Sequence, residues 1–325
     1  KDYDFYVKTT DDDKQLIAVS SDVKLNEETK TLPEGATAAL AGLNQTAEIV
    51  MNNLDTSEKG YNIFTVGTYT KDRVNTGSHV DTYTLSGRLG IARKDPNKCG
   101  ERTIGAFVEG GRGTYTTHND YSSGSVRADG DLSYLGLGLF ANQEYKNGTY
   151  LEGLLRLGSA KRSFKGVLAG NDAAHNTSST YWGGHVKFGK FFRKANSNTN
   201  FDLYGMFNYV RLGSDSTDLP NGSKLDYDAM DSKRFRAGLR YNVEPQGKVP
   251  TMYAGLAYEY EFGGKASGTL DGMALDSPTM KGSTGVIEIG AKSQPTDKMD
   301  MDFRLEGRVG TRKGFGGVLK FNWKI

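Results

Sequence analysis

His79 and His118 are the side chains in this sequence best suited to moving a proton near neutral pH. Each has serines nearby in the chain: Ser78 precedes the first, and Ser122 and Ser123 follow the second. A serine beside a histidine is the raw material of nucleophilic hydrolysis, provided a third group orients the base. In a serine-rich chain with four histidines such neighbours arise by chance, so catalysis is not expected. Asp226, Asp228 and Asp231 are spaced like the opening of a calcium loop, yet the glycine and final glutamate of such a loop are missing. Gly110-Gly111-Arg112-Gly113 is not followed by a helix, as a phosphate-cradling loop would be. Cys99 is the single cysteine and follows the turn-forming Asp95-Pro96-Asn97-Lys98, which excludes an internal disulfide and a cysteine metal cluster. No metal and no cofactor are expected.

The elements that carry these groups are strands. Phe315, Leu319, Phe321, Trp323 and Ile325 fall on one face of the final segment, and Lys320, Asn322 and Lys324 on the other. Upstream, Met299, Met301, Phe303, Leu305 and Val309 alternate with Asp300, Asp302, Arg304, Glu306 and Arg308. Glycine is abundant at 42, proline scarce at 7, and Tyr and Phe contribute 18 and 15. No run of 18 apolar residues occurs, which excludes a transmembrane helix but not a barrel that shows lipid only alternate side chains. A net charge of +2 gives no reason to expect nucleic acid.

Short turn signals at Asp95-Pro96-Asn97, Asn147-Gly148, 194–199, Pro245-Gln246-Gly247 and Gln294-Pro295-Thr296-Asp297 recur about 50 residues apart. Between them lie longer polar stretches at 118–129, 166–179, 214–228 and 264–280, which are expected to be loops on the opposite side. Short turns on one side and long loops on the other is the asymmetry of an outer-membrane barrel. Twelve strands are predicted, at 61–71, 80–93, 102–116, 131–145, 149–164, 180–192, 200–212, 232–243, 251–262, 282–293, 299–310 and 315–325. The first shows no clear apolar face. Leu135, Leu137 and Leu139 should face lipid, with Gly136 and Gly138 inward. By the same period Arg88, Glu109, Arg234, Arg236, Arg240, Glu259, Glu261, Glu288, Arg304 and Glu306 should face the lumen, as should His185. A hairpin through Pro245 sets Arg236 opposite Glu259 and Arg234 opposite Glu261, most simply as structural pairs.

Residues 33–54 change period. Leu40, Leu43, Ala47, Val50 and Leu54 form a helical stripe, kept slim by Ala36, Ala38, Ala39 and Ala41, with Pro33 and Glu34 suited to the first turn. Asn44, Gln45, Glu48, Asn52 and Asn53 make the other face too polar for bare lipid. A helix of about 22 residues spans roughly 33 Å, enough to thread a barrel.

A slim helix followed by twelve strands resembles the translocator domain of the autotransporters of type V secretion. The resemblance runs from about residue 35 to 325. It rests on Leu43-Asn44-Gln45-Thr46-Ala47-Glu48, Asn75-Thr76-Gly77-Ser78-His79-Val80-Asp81, Gly87-Arg88-Leu89-Gly90-Ile91-Ala92 and Gly105-Ala106-Phe107-Val108-Glu109-Gly110-Gly111-Arg112-Gly113. Gly130-Asp131-Leu132-Ser133-Tyr134-Leu135-Gly136 and Tyr150-Leu151-Glu152-Gly153 extend it. Leu319, Phe321 and Trp323 keep the family's terminal assembly signal, whereas Ile325 stands where Phe or Trp is usual.

The resemblance implies an all-β fold, a 12-stranded antiparallel transmembrane β-barrel with an N-terminal α-helix threaded through the lumen. Residues 1–30 would be the stub of a passenger, 31–56 a linker and pore-plugging helix, and 57–325 the barrel. Lys1 would then be internal to a longer precursor. The implied partners are outer-membrane lipid and lipopolysaccharide, the barrel assembly machinery, periplasmic chaperones and the chain's own passenger, with the barrel acting as a monomer. Some members cut their passenger at an Asn-Asn pair in the helix. Asn52-Asn53 matches the pair but lies close to the first strand, so cleavage is not expected. The competing reading is a passive twelve-stranded channel for small solutes, with the helix outside the lumen.

Overall fold

A computed structural model describes residues 3–9, 16–47, 60–193, 197–244 and 249–325. A two-stranded antiparallel hairpin comes first, β1 (Tyr3–Thr9) with β2 (Leu16–Leu25). The Asn26 side chain then caps a 3-10 turn over Glu27–Lys30 by accepting the Glu28 amide, and the turn runs directly into α1 (Thr31–Ala47). The next strands are β3 (Gly60–Asn75), β4 (His79–Asn97), β5 (Gly100–Tyr121), β6 (Gly124–Tyr145) and β7 (Thr149–Phe164). After the small hairpin β8 (Val167–Leu168) and β9 (Asn171–Asp172) come β10 (His175–Arg193) and β11 (Thr199–Leu212). The hairpin β12 (Asp215–Asp218) and β13 (Lys224–Tyr227) precedes β14 (Met230–Val243) and β15 (Thr251–Glu261). The hairpin β16 (Gly268–Leu270) and β17 (Met273–Ala274) precedes β18 (Gly282–Thr296), β19 (Met299–Gly310) and β20 (Arg312–Lys324).

Twelve of these strands form one closed antiparallel barrel. Each pairs with the next long strand in the chain, and β20 returns to β3 along a register running from Arg312↔Val74 to Lys324↔Asn62. The Ile325 amide extends the seam to the Tyr61 carbonyl at 3.0 Å. Closure leaves no edge, which is how strands satisfy their backbone in hydrocarbon. The outward face is apolar: Leu135, Leu137 and Leu139 are each more than half exposed, as are Leu155, Leu157 and Leu256.

The structure corrects several expectations. The stretch 118–129 is not a loop, because β5 and β6 stay paired to Tyr121↔Gly124 and raise a tall hairpin. The stretches 214–228 and 264–280 fold into a four-stranded sheet, β12-β13-β16-β17. Within 166–179 lie β8 and β9, and β10 begins at His175, five residues before the predicted strand. Pairing satisfies backbone groups that a polar sequence otherwise leaves to water. Apolar residues hidden among the polar ones then close a core of their own. Leu168, Leu219, Leu225, Tyr227, Leu270 and Leu275 pack with Phe164 and with Leu32 of α1.

The helix starts at Thr31 rather than Pro33, because the capped 3-10 turn brings it in early. Beyond Ala47, the predicted positions Glu48, Val50, Asn52, Asn53 and Leu54 lie outside the described residues. The first barrel strand lacks a clear face because both of its faces mix apolar and polar residues, with Asn62, Thr68, Thr70 and Asp72 inward and Lys71 and Arg73 outward. Tyr61, Ile63 and Tyr69 point out, while Phe64 and Val66 point in and meet Phe107, Phe140 and Val318.

Replacing Leu137 or Leu305 by Arg should destabilise the barrel by about 2–4 kcal/mol if the side chain sits near the bilayer midplane. Denaturant titration of refolding into lipid vesicles reads this directly, and insensitivity at both positions would remove them from the lipid face.

Candidate functional site

The site is the lumen, and α1 occupies it. Every residue from Thr31 to Thr46 is buried. Small residues allow this close fit: a Cβ at Gly35 would lie 2.7 Å from the Tyr115 hydroxyl, and one at Gly42 would lie 3.2 Å from Leu132. Leu40 and Leu43 join a cluster with Val74, Tyr134, Tyr181 and Val210 from the wall. Gln45 is buried beside them, and Ala47 is the last described residue of the helix.

The last turns of α1 meet two arginines. Arg156 on β7 donates to the Leu43 carbonyl and to the Thr46 hydroxyl, both at 2.7 Å, and pairs with Glu109 at 3.1 Å. Glu109 also binds Arg88 at 3.0 Å and accepts the Tyr181 hydroxyl at 2.8 Å. Gly136 makes room for that ring, since a Cβ there would lie 2.1 Å from the Tyr181 hydroxyl. On β14, Arg234 donates to the Asn44 carbonyl at 3.0 Å, and the Asn44 amide donates to Ser232 at 3.0 Å. Cationic groups at carbonyls near a helix C-terminus are favourable both as hydrogen bonds and toward the helix dipole.

Arg234 is one end of a continuous ionic belt. The register sets it opposite Glu261, and Arg236 opposite Glu259. Glu259 pairs with Arg236 and Arg312, both at 2.9 Å, and Arg312 reaches toward Asp72 at 4.0 Å. Arg308 links Asp72 at 3.1 Å to Glu306 at 2.7 Å, and Glu306 meets Arg304 at 3.1 Å. Glu288 closes the belt between Arg304 at 3.8 Å and Arg240 at 2.7 Å. All ten acidic and basic residues named from the strand period face the lumen and are buried. His185 lies there too, 2.8 Å from Glu152.

The other end of α1 is tied to the loop side. Thr31 bonds the Tyr121 hydroxyl at 2.9 Å, and the Tyr227 hydroxyl donates to the Leu32 carbonyl at 3.1 Å. Glu34 accepts from Thr76 at 3.0 Å, from Asn119 at 2.7 Å and from the Ser78 hydroxyl. Just before the helix, Glu27 binds the Ser122 amide and hydroxyl, which hold its carboxyl below the usual range, and Glu28 accepts the Ala169 amide at 2.6 Å. Ser78 and Ser122 thus serve glutamates, and His79 and His118 lie on the outer wall. The aspartates of the supposed calcium loop go separate ways, Asp226 to Ser216 and Asp231 to Arg211. Cys99 is exposed in its turn.

Arg156, Ser232, Asp72 and Arg312 were not among the groups read from the sequence, and Arg308 was read only as part of the polar face of its strand. Arg156 was accessible to the same logic, since it sits between the outward Leu155 and Leu157. Asp72 was hidden by the ambiguous face of β3.

A family described as the autotransporter beta-domain matches residues 63–306. The fold is similar to the translocator domain of autotransporter NalP from Neisseria meningitidis, with a TM-score of 0.69 at 15% identity over 89% of this chain and 98% of that one. The transport unit of the autotransporter AIDA-I from Escherichia coli gives 0.69 at 15% identity over 93% and 100%. An outer-membrane channel from Pseudomonas putida F1 is less similar, at 0.52 and 15% identity over 86% and 100%. No curated protein matches the sequence.

Arg156→Met should cost about 3 kcal/mol, the lower end for a broken buried pair, because Glu109 keeps Arg88 and Tyr181. The helix should loosen with it. Denaturant unfolding in micelles measures the first effect, and brief channel openings in planar bilayers report the second.

Proposed function

Because this chain belongs to the autotransporter β-domain family, we propose that its barrel exports and anchors its own N-terminal passenger and keeps α1 as the plug of the used pore. The barrel resides in the bacterial outer membrane. The observation that carries the proposal is the direction of the helix. Its N-terminal end meets the tall β5–β6 hairpin and the four-stranded sheet, and its last turns reach the arginines of the mid-lumen. Asn26 therefore stands on the loop side, opposite the tight turns and the barrel's first and last strand ends at Gly60 and Lys324.

In this reading residues 1–30 are the passenger stub, 31–56 the linker and plug, and 57–325 the barrel. The outward leucines contact lipid and lipopolysaccharide. Leu319, Phe321, Trp323 and Ile325 present the strand that the barrel assembly machinery takes up, after periplasmic chaperones have kept the chain soluble. Phe321 and Trp323 support this as a stacked pair with ring centroids 5.6 Å apart on the outer wall of β20. One barrel works alone as a monomer. It performs no chemistry, and Asn52-Asn53 stays uncut. The passive-channel reading needs a helix outside the lumen, and the burial of 31–46 speaks against it.

Deleting residues 1–54 should convert a nearly closed barrel into one of high conductance in planar bilayers. Equal conductance of the two forms would defeat the plug. Removing Phe321 to Ile325 should abolish membrane assembly, because the seam loses Phe321↔Thr65 through Lys324↔Asn62. A truncated chain that still migrates as a heat-modifiable, protease-resistant barrel would show that assembly does not need this segment.

A further inference from the structure

We propose that His79, His118 and Asp81 bind one divalent transition-metal ion, of the Zn2+ class, on the outer wall of the barrel at its loop-side rim. The two histidines are 39 residues apart in sequence, but the β4–β5 register sets them directly opposite each other. Asp81 follows two residues after His79 and therefore shares its face. The imidazole rings stack with centroids 4.5 Å apart and planes 17° from parallel. His118 Nε2 lies 3.6 Å from Asp81 Oδ2, and one ligand atom from each of the three residues falls within 4.8 Å of the others.

Ligand atoms about 2.0–2.2 Å from a tetrahedral zinc are roughly 3.3 Å apart. The three groups must draw together by about 1.5 Å at most, which χ rotation of partly exposed side chains supplies. Two imidazoles and a carboxylate select a transition metal over calcium or magnesium, whose ligands are oxygen. Arg73 fixes the carboxylate from the neighbouring strand, with Nε 2.7 Å from Oδ1 and Nη2 2.9 Å from Oδ2. Its guanidinium repels a cation, so the site is a moderate binder that exchanges its ion. Below it on the same outer face stand Tyr69 and Tyr83, exposed aromatics of the kind that mark the upper limit of the apolar band. The ion would sit above that limit and complete its coordination with water, as three-ligand zinc sites do.

A stacked cross-strand pair beside an independent Arg–Asp bridge is the purely structural alternative, and the two readings separate in solution. Full-length protein in detergent micelles is titrated with Co2+, followed by its visible absorption and by displacement with Zn2+. One ion per chain is expected, with affinity at least about tenfold weaker in His79→Gln and in His118→Gln. Failure to saturate at one ion, or unchanged affinity in both variants, overturns the site. A second measurement needs no variant. His175 and His185 are buried, so diethylpyrocarbonate should modify His79 and His118, and Zn2+ should protect both. Modification at an unchanged rate in Zn2+ overturns the proposal equally.

Discussion

Inside a bilayer no water is available to the backbone, and every N–H and C=O of a spanning segment must find its partner within the protein. For strands the only complete solution is a ring, and the contact that makes this chain a ring is the pairing of β20 with β3. The seam joins the last strand to the first, so it can form only after the whole barrel sequence is in place. Its two strands are also unlike each other. β20 offers a largely apolar outer face, whereas β3 mixes polar and apolar residues on both faces and brings Phe64 and Val66 into the lumen beside Asn62 and Asp72.

Closing twelve strands creates an interior wider than side chains alone fill in an eight-stranded barrel, and narrower than an open porin. Two devices occupy it. Long charged side chains reach inward and pair with one another, so that the guanidinium groups of Arg236, Arg240, Arg308 and Arg312 meet carboxylates at 2.7 to 3.1 Å. The helix packs into the space between them, and its composition follows from that duty. Glycine and alanine bring it against the wall, leucines fill between, and Asn44 and Thr46 speak to the polar lining. A helix with polar residues on one side is normally a surface helix. This one is buried all round because its surroundings are polar too.

The barrel was legible because strand period two is a strong signal when one face meets lipid, and Leu135, Leu137 and Leu139 beside Gly136 and Gly138 display it plainly. The turn chemistry of Asn147-Gly148 and Asp95-Pro96-Asn97 then fixed the strand count. The pairing of Arg234 with Glu261 and of Arg236 with Glu259 was readable because a short hairpin determines register. The sheet over the lumen was not legible. Leu225, Tyr227 and Leu270 are isolated among Ser, Asp and Gly, and their partners come from a different hairpin, from β8 and from the helix. The approach of His118 to His79 follows from the turn at Asn97↔Gly100, but only because β4 and β5 pair without a single bulge over their whole length, which sequence spacing does not guarantee. Arg156 was legible in orientation but not in partner, since its contact with Leu43 spans 113 positions.

The helix has two sets of anchors, and they lie on different parts of the ring. At its start, Thr31 and Glu34 hold β5 and the β3–β4 connection, through Tyr121, Asn119, Thr76 and Ser78. At its end, Leu43 and Thr46 hold Arg156 of β7, and Asn44 holds β14, which stands on the far side of the ring from β4. A hoop of hydrogen-bonded strands resists being stretched but ovalises easily, because flattening breaks no bond along the strands. A rigid rod fixed to opposite walls at different heights triangulates the hoop and removes that soft mode. In mechanical terms α1 is a diagonal strut, and it braces the cross-section of the barrel against flattening.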